Sequence, residues 1–179
     1  AVASDFGESV KLADIKRIVI THGHIDHLGG LPVLAEKTGA EIVVHELDAR
    51  ILTAYAERVV VATRGLLHFL AWAGVEGDER RAFMEMYGFS KLHVQNLTVH
   101  RIVRDGDELD GLRFIHTPGH CPGQVCIALG DVLLSADQVL PVTSPHQSPE
   151  SIIPYTGLGH FLESLAKIEA IGGFTLAWG

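Results

Sequence analysis

The chain has 179 residues, a length that suits one domain better than two. Hydrophobic residues make up 47% of it and charged residues 20%, which is the composition of a folded globular protein. The formal net charge of −8 argues against general nucleic-acid binding, because nucleic-acid binders usually carry a basic face. No apolar run reaches the roughly 20 residues of a membrane-spanning helix. We therefore predict one soluble domain over residues 1–179, with neither nucleic acid nor a membrane as its partner.

Cysteine usage and the chain ends bear on the cellular context. Cys121 and Cys126 offer no disulfide framework, which suits a reducing compartment, and we predict a cytoplasmic location. The chain starts at Ala1 without an initiator Met or a signal-peptide pattern, and it stops in an apolar run at Gly179. We expect it to be part of a longer protein.

The start of the chain predicts a βαβ unit. Residues 17–21 form a short β-branched run that is typical of a strand. Residues 28–37 have helical spacing, with Pro32 in the first turn. Gly39 marks the break before a second apolar strand at Glu41–His45. Strands joined in this way by a helix pair in parallel.

Residues 48–90 predict a helical insertion between strands. Apolar residues recur there at three- and four-residue spacing, beginning with Leu52, Tyr55 and Val59. A further helix is expected to start at Asp78. Its large side chains either cover a binding pocket or pack the helices against each other, and both interpretations stay open. The side chains concerned are Phe69, Trp72, Phe83, Met84, Met86 and Tyr87.

The second half of the chain predicts short strands separated by turns. We expect an antiparallel meander with strands at residues 98–103, 112–116, 125–129 and 132–135. A Pro-rich loop, a helix and a last strand follow at residues 141–154, 159–171 and 174–178. Strands with helices on the outside imply a layered α/β sandwich.

Four metal-binding side chains fall within six residues at the end of the first strand, namely His22, His24, Asp26 and His27. In extended backbone the side chains at i and i+2 point the same way, so His22 and His24 can bind one metal ion. Asp26 and His27 begin the next helix and can face a second ion. Imidazole nitrogens and carboxylate oxygens are ligands of catalytic zinc, which keeps one position open for water.

The segment from Thr21 to Gly30 resembles the signature loop of the metallo-β-lactamase superfamily. The turn at residues 117–120, Thr-Pro-Gly-His, and the strand end at residues 134–137, Leu-Ser-Ala-Asp, resemble the family's next two metal-binding elements. The resemblance runs from about residue 10 to the end of the chain. It implies the αβ/βα four-layer sandwich, present as an incomplete domain with a helical insertion, because the family's opening strands would precede Lys11.

The resemblance also implies the ligands and the metals. The first metal ion would be bound by His22, His24 and His120. The second would be bound by Asp26, His27 and Asp137, with Asp137 bridging both ions. Two zinc ions are the expected cofactor, with iron or manganese as open alternatives. The family's last ligand is a His after a final strand, and we expect it to lie beyond Gly179.

Four nearby residues are placed outside this ligand set. His45 and His116 match no family ligand and are expected to make local hydrogen bonds. Cys121 is predicted to be a packed thiol, because the family usually carries a small polar residue there. His146 lies in the Pro-rich loop, and its place in the pocket wall stays open.

The family resemblance implies a hydrolase in which a hydroxide between two metal ions attacks a carbonyl, while Asp26 orients the water or receives its proton. Asp at position 137 is typical of hydroxyacylglutathione hydrolases, lactonases and RNA-processing nucleases, whereas true β-lactamases carry Cys or Ser there. The chain lacks the basic motifs of the nuclease branch. The implied substrate is an ester, thioester or lactone, as in the glyoxalase-II-like and lactonase-like branch.

Alternatives to this function stay open. His24 favours zinc and hydrolysis, since diiron oxygen-reducing relatives usually carry Glu at its position. A mononuclear iron persulfide dioxygenase shares the fold and several ligands. β-Lactam hydrolysis as a minor activity and a metal-binding remnant without turnover are two further candidates. Assembly into a homodimer also stays open as an alternative.

Overall fold

Two β-sheets face each other in the computed structural model, which describes residues 11–89 and 95–179. The first sheet has three parallel strands in the order β1 (Arg17–Ile20), β2 (Glu41–His45) and β3 (Arg101–Val103). The second has five strands in chain order: β4 (Glu108–Leu109), β5 (Leu112–His116), β6 (Val125–Leu129), β7 (Val132–Leu134) and β8 (Leu176–Trp178). Its pairs are antiparallel except for the parallel pair of β7 and β8.

The predicted βαβ unit is confirmed by the parallel pairing of β1 with β2. The connection contains two helices, α1 (Ile25–Leu28) and α2 (Leu31–Thr38). Pro32 lies in the first turn of α2, where its missing N–H costs no helical hydrogen bond. Gly39 ends α2 in the left-handed conformation, with φ of 63°, and so turns the chain back into β2.

Three helices follow β2 and form the predicted insertion: α3 (Ala49–Thr53), α4 (Tyr55–Trp72) and α5 (Gly77–Phe89). The two ends of the insertion are joined at its base. The N–H of Leu97 donates to the carbonyl of Leu52 at 2.8 Å, and the N–H of Tyr55 donates to Oδ1 of Asn96 at 2.9 Å. The predicted end of the insertion at residue 90 lies outside the described residues.

One more helix, α6 (Leu158–Ile171), completes the four layers of the fold. Side chains alternate between the two faces of each strand, so each sheet packs against a helix on its outer face and against the other sheet on its inner face. On the outer face of the first sheet, Ile42 and Val44 cluster with Leu31 of α2. On the outer face of the second sheet, Ile115 clusters with Ile168 of α6. Both sheets contribute to the core between them, with Val43, Val103, Phe114, Val125 and Ile127. Helix, sheet, sheet and helix give the predicted αβ/βα sandwich. No helix within residues 11–89 and 95–179 is long and apolar enough to cross a membrane.

One strand prediction is wrong. The segment at residues 98–103 was expected to open the antiparallel meander, but β3 pairs in parallel with β2, with Val103 opposite His45. The meander begins instead at β4. A short apolar strand has the same pattern in either pairing, and the long helical crossover before β3 is what permits the parallel one.

Candidate metal centre

The ends of three strands carry the candidate ligands. His22 lies just after β1, His120 lies in the loop between β5 and β6, and Asp137 lies in a 3₁₀ turn after β7. The N–H of Val125 donates to the carbonyl of Thr21 at 2.9 Å, which joins the start of β6 to the end of β1. These loops therefore meet at one edge of the sandwich.

The turn before His120 is held by α6. Gly119 has φ of 133°, and a Cβ built on it would lie 2.5 Å from the backbone of Phe161, so only glycine fits this close approach. The hydroxyl of Ser164 donates to the carbonyl of Pro118 at 2.7 Å. A loop supported by a helix in this way presents its ligand in one orientation.

Two overlapping groups of side chains have ligand atoms within 4.8 Å of one another. The first contains His22, His24, His120 and Cys121, and the second contains His22, His27 and Asp137. The structure thus brings together the three ligands predicted for the first metal ion, and it joins two of the three predicted for the second.

Asp137 belongs to the second group and also approaches His120 of the first group. Its Oδ2 is 3.3 Å from Nε2 of His120 and 3.8 Å from Nε2 of His22, whereas its Oδ1 is 3.2 Å from Nε2 of His27. Each carboxylate oxygen therefore faces a different set of imidazoles. A carboxylate shared by two metal ions would be arranged in this way, and the bridging role of Asp137 stays a prediction.

The buried imidazoles point unused nitrogens into the site. Within the described residues, Nε2 of His22 and Nε2 of His120 are buried and make no hydrogen bond. The Nδ1 of His120 lies 2.8 Å from the carbonyl of His146, which fixes this ring through its other nitrogen. Buried polar atoms without partners are costly, and a bound metal ion would satisfy both. The donor set therefore fits a metal site.

Burial keeps the core ligands neutral. Burial, followed by the neighbouring His27 and His24, lowers the pKa of His22 to about 2. Burial also lowers the pKa of His120, against an opposing contribution from the carbonyl of His146. Because only neutral imidazole binds metal, both residues are ready to bind at neutral pH without losing a proton.

Asp26 occupies a different environment from the other predicted ligands. Its side chain is 73% exposed, and its Oδ2 lies 3.7 Å from Nε2 of His27. It lines the same cavity as the metal cluster but belongs to neither group of converging ligand atoms. Its roles as a ligand of the second metal ion and as the catalytic carboxylate remain predictions.

Asp48 was not singled out from the sequence, yet it connects the two ligand loops. It is buried, and its Oδ2 accepts the N–H of Gly23 at 2.8 Å while its Oδ1 accepts the N–H of Gly123 at 2.9 Å. Gly23 stands between His22 and His24, and Gly123 lies three residues after His120. Burial raises the pKa of Asp48 to about 6, against the lowering effect of both N–H donors. No local signal marks this Asp, because both of its partners are distant in sequence.

Cys121 is a buried thiol outside any disulfide, but it is more than a packing residue. Its Sγ lies 3.3 Å from Nε2 of His24. This contact engages Nε2 of His24, and a neighbouring group commonly orients a metal-binding His in this way. Its position directly beside His120 was the one signal in the sequence.

We expect Cys121→Ser to retain zinc affinity within a few-fold, because the hydroxyl can replace the sulfur as partner of His24. Cys121→Val has no hydrogen-bonding atom and is expected to weaken zinc binding by about 10- to 100-fold. Calorimetric titration with zinc measures both. Cys126→Ala is the control, since Cys126 lies in the core near Thr117. Equal losses in the Ser and Val variants would contradict an orienting role.

The remaining histidines near the site behave largely as predicted. The rings of His45 and His116 stack with centroids 4.0 Å apart, away from the ligand groups. Nδ1 of His45 accepts the N–H of Leu47, and Nε2 of His116 lies 2.7 Å from the carbonyl of Pro122, so both make local hydrogen bonds. His146 does line the cavity, with its ring stacked on His24 at 5.1 Å.

A cavity of about 570 Å³ opens beside the metal cluster. The insertion does form part of its wall, through Tyr55, Arg58, Val59, Ala62 and Tyr87. Of the side chains proposed from the sequence as a possible cover, Tyr87 alone lines this cavity among the described residues. Phe69 and Trp72 instead lie near each other, with ring centroids 6.0 Å apart, beside a separate surface depression.

The fold and the cluster define a metal-binding α/β sandwich. A family model described as the metallo-beta-lactamase superfamily matches residues 3–170 of this chain. Because that match takes in nearly the whole sequence, the protein belongs to the metallo-β-lactamase superfamily.

Curated relatives are longer than this chain. The probable metallo-hydrolase YflN of Bacillus subtilis (strain 168) is 29% identical over 144 residues, which are 76% of this chain and 48% of that protein. The probable metallo-hydrolase YqjP of the same organism is 28% identical over 125 residues, or 66% of this chain and 37% of that protein. The chain therefore spans about half or less of the length of these relatives.

Solved structures share the fold. The metallo-beta-lactamase family protein TTHA1429 of Thermus thermophilus aligns with a TM-score of 0.65 and 25% identity, over 98% of this chain and 57% of its own. BJP-1, a subclass B3 metallo-beta-lactamase of Bradyrhizobium japonicum, aligns with a TM-score of 0.62 and 25% identity, over 99% and 60%. TTHA1623, solved in a di-iron-bound form, is similar in fold, with a TM-score of 0.61 and 21% identity over 96% and 69%.

Proposed function

We propose that this chain is the metal-binding part of a metal-dependent hydrolase that cleaves esters, thioesters or lactones at a two-metal centre. The observation that carries the proposal is the position of Asp137, whose two oxygens face separate groups of imidazoles. Family membership and the metallo-hydrolase names of the Bacillus relatives support a hydrolase in general terms.

The residues divide between two ions. His22, His24 and His120 would hold the first, and His27 with Asp26 would hold the second, with Asp137 shared between them. When bound, divalent ions of this kind polarise a carbonyl and lower the pKa of a water toward about 7. Zinc is the proposed metal because imidazole and carboxylate are its usual ligands, and the di-iron-bound form of TTHA1623 makes iron the first alternative to measure.

The side chains of the protein would position the reacting groups and shield them from water. Cys121 and the carbonyl of His146 hold the rings of His24 and His120 in place. The exposed carboxylate of Asp26 lines the cavity and would accept a proton during hydrolysis. Apolar residues of the cavity wall, including Ile51 and Leu140, exclude water from a bound acyl group.

Metal content and activity of the full-length protein test this proposal. We expect about two zinc ions per chain by elemental analysis, hydrolysis of members of a panel of esters, thioesters and lactones, and loss of turnover after chelation. Adding zinc back should restore the rate. Including β-lactams in the same panel would show whether the protein also hydrolyses them as a minor activity.

Three different outcomes would contradict the proposal. Turnover that survives complete removal of metal would exclude a metal-dependent hydrolase. One iron per chain together with oxygen uptake on glutathione persulfide would identify a persulfide dioxygenase instead. Two bound ions with no hydrolysis across the panel would leave a metal-binding protein without this activity.

A further inference from the structure

The cavity beside the metal cluster contains one guanidinium group among the described residues. Arg58 of α4 is the only Lys or Arg among the described residues that line it. The carboxylates of Asp26, Asp48 and Asp137 line the same cavity. In a chain of net charge −8, a guanidinium among these carboxylates indicates a specific role for Arg58.

Arg58 is half-buried, and its guanidinium makes no hydrogen bond or ion pair with the residues that the structure describes. Its charge acts on Asp48, but both oxygens of Asp48 already accept N–H groups from Gly23 and Gly123. Arg50, in the preceding helix, pairs with Glu57 in contrast. Arg58 therefore retains its full capacity to bind a planar anion through two parallel hydrogen bonds.

A second polar group in this wall also lacks a partner. Tyr55 precedes Arg58 by three residues on α4, so the two side chains lie on the same face of the helix. Tyr55 is 7% exposed, and its hydroxyl is buried without a hydrogen bond among the described residues. Burial raises the pKa of Tyr55, so its phenol stays a neutral donor. Among residues 11–89 and 95–179, no hydrogen-bond partner satisfies the Tyr55 hydroxyl or the Arg58 guanidinium.

Apolar side chains flank Tyr55 and Arg58 along this wall. Val59 and Ala62 continue the same helix along the cavity, and Ile153 faces it from the loop before α6. A mainly apolar cavity with a few polar groups is the usual design of a small-molecule site, in which the polar groups set the orientation of the ligand.

We infer that Arg58 receives an anionic group, a carboxylate, of the substrate, while the scissile carbonyl lies at the metal cluster. The substrate class is thus an ester, thioester or lactone that bears a carboxylate away from the bond that is cleaved. This inference rests on the proposed function, since it assigns the substrate of the same cavity. The hydroxyl of Tyr55 stands beside the anion site as a further donor.

Pairs of esters that differ only in charge provide the kinetic test. The monomethyl esters of succinate, glutarate and adipate are compared with the methyl esters of butanoate, pentanoate and hexanoate, which match them in chain length. For at least one pair, the full-length metal-loaded protein should show a KM about 10- to 100-fold lower for the anionic ester, as expected of hydrogen bonds to a charged group. Arg58→Met should abolish this preference, so that each anionic ester and its neutral partner are cleaved with similar KM.

Two further variants define the role of Arg58. Arg58→Lys keeps the charge but loses the planar fork, so it should retain only part of the preference. Arg64→Met is the matched control, because Arg64 is an exposed residue of the same helix outside this cavity. If Arg58 served only to offset Asp48, Arg58→Met would affect anionic and neutral esters equally, and the inference would fall.

A binding measurement separates this inference from the proposed function. Calorimetry on the metal-loaded protein compares 5-oxohexanoate with 2-hexanone, which match in shape and contain no bond to hydrolyse. Tighter binding of 5-oxohexanoate that is lost in Arg58→Met supports the anion site even if no ester is cleaved. Hydrolysis of esters without any charge preference, or a preference that persists in Arg58→Met, overturns the anion site and leaves the hydrolase intact.

Discussion

Asp137→Asn is expected to lower kcat/KM for the best ester or lactone substrate by about a thousandfold, or about 4 kcal/mol of transition-state stabilisation. The amide keeps the shape of the carboxylate but loses its charge, and it directs an NH₂ group at imidazole nitrogens that must offer lone pairs. Because the two oxygens of Asp137 serve different groups of histidines, both metal ions should be affected. Stopped assays together with elemental analysis measure the rate and the metal content.

The control for this substitution is Asp78→Asn. Asp78 lies on α5 with its side chain 92% exposed, and its ion pair within the described part of the chain is with Arg81, one helical turn away. This variant should retain wild-type metal content and rate, since exposed pairs of this kind contribute little. Asp137→Asn that keeps two metal ions and full activity would refute the bridging role.

Asp48→Asn is expected to weaken metal binding by about 10- to 100-fold, although Asp48 touches no metal ligand side chain. Asn offers one carbonyl oxygen, so one of the two N–H groups would face an NH₂ donor at a buried site. Either the loop with Gly23 or the loop with Gly123 then moves, and the adjoining histidines move with it. Zinc titration of the two proteins measures the loss.

The pH dependence of the free energy of unfolding provides a second test of Asp48. The folded pKa of Asp48, about 6, lies above the ordinary value of 3.8, so between about pH 4 and 6 the folded protein holds a proton that the unfolded chain has released. From this group, the free energy of unfolding should fall as pH rises through that window, by about 3 kcal/mol at 1.36 kcal/mol per pKa unit, and stay constant above it.

Urea unfolding from pH 4 to 7 tests this dependence. Any pH dependence that comes from other groups is common to both proteins, so the difference between wild type and Asp48→Asn isolates Asp48. The variant should lack the decline. Parallel pH profiles for the two proteins would show that burial does not raise the pKa of Asp48, and unchanged zinc affinity would show that it does not hold the loops.

The parts of the fold that follow from local sequence were predictable. The strands at residues 17–21 and at Glu41–His45 were placed correctly because strand and turn preferences act over a few residues. The strand that pairs with β3 was not predicted correctly, since parallel and antiparallel strands of this length have the same sequence pattern. Pairing is decided by the path of the whole chain.

Some residues of the candidate site could likewise be predicted from the sequence, and others could not. His22 and His24 could be paired from their spacing alone, and the resemblance to a family added His120 and Asp137. Asp48 was not predicted because its importance lies in contacts with distant loops. Arg58 was not predicted because what marks it is a half-buried guanidinium with no hydrogen bond or ion pair among the described residues. Such properties depend on burial and on neighbours that are close only in the folded chain.

The joined base of the insertion has a consequence for how this protein could diversify. Leu52 and Leu97 are already held together by a backbone hydrogen bond, so the segment between them forms a module on one edge of a finished scaffold. Its helices can be lengthened, shortened or exchanged without altering the register of β2 with β3 or the strand ends that carry the histidines. Grafting that module between relatives should transfer preference for the acyl portion of a substrate while the chemistry remains that of the host.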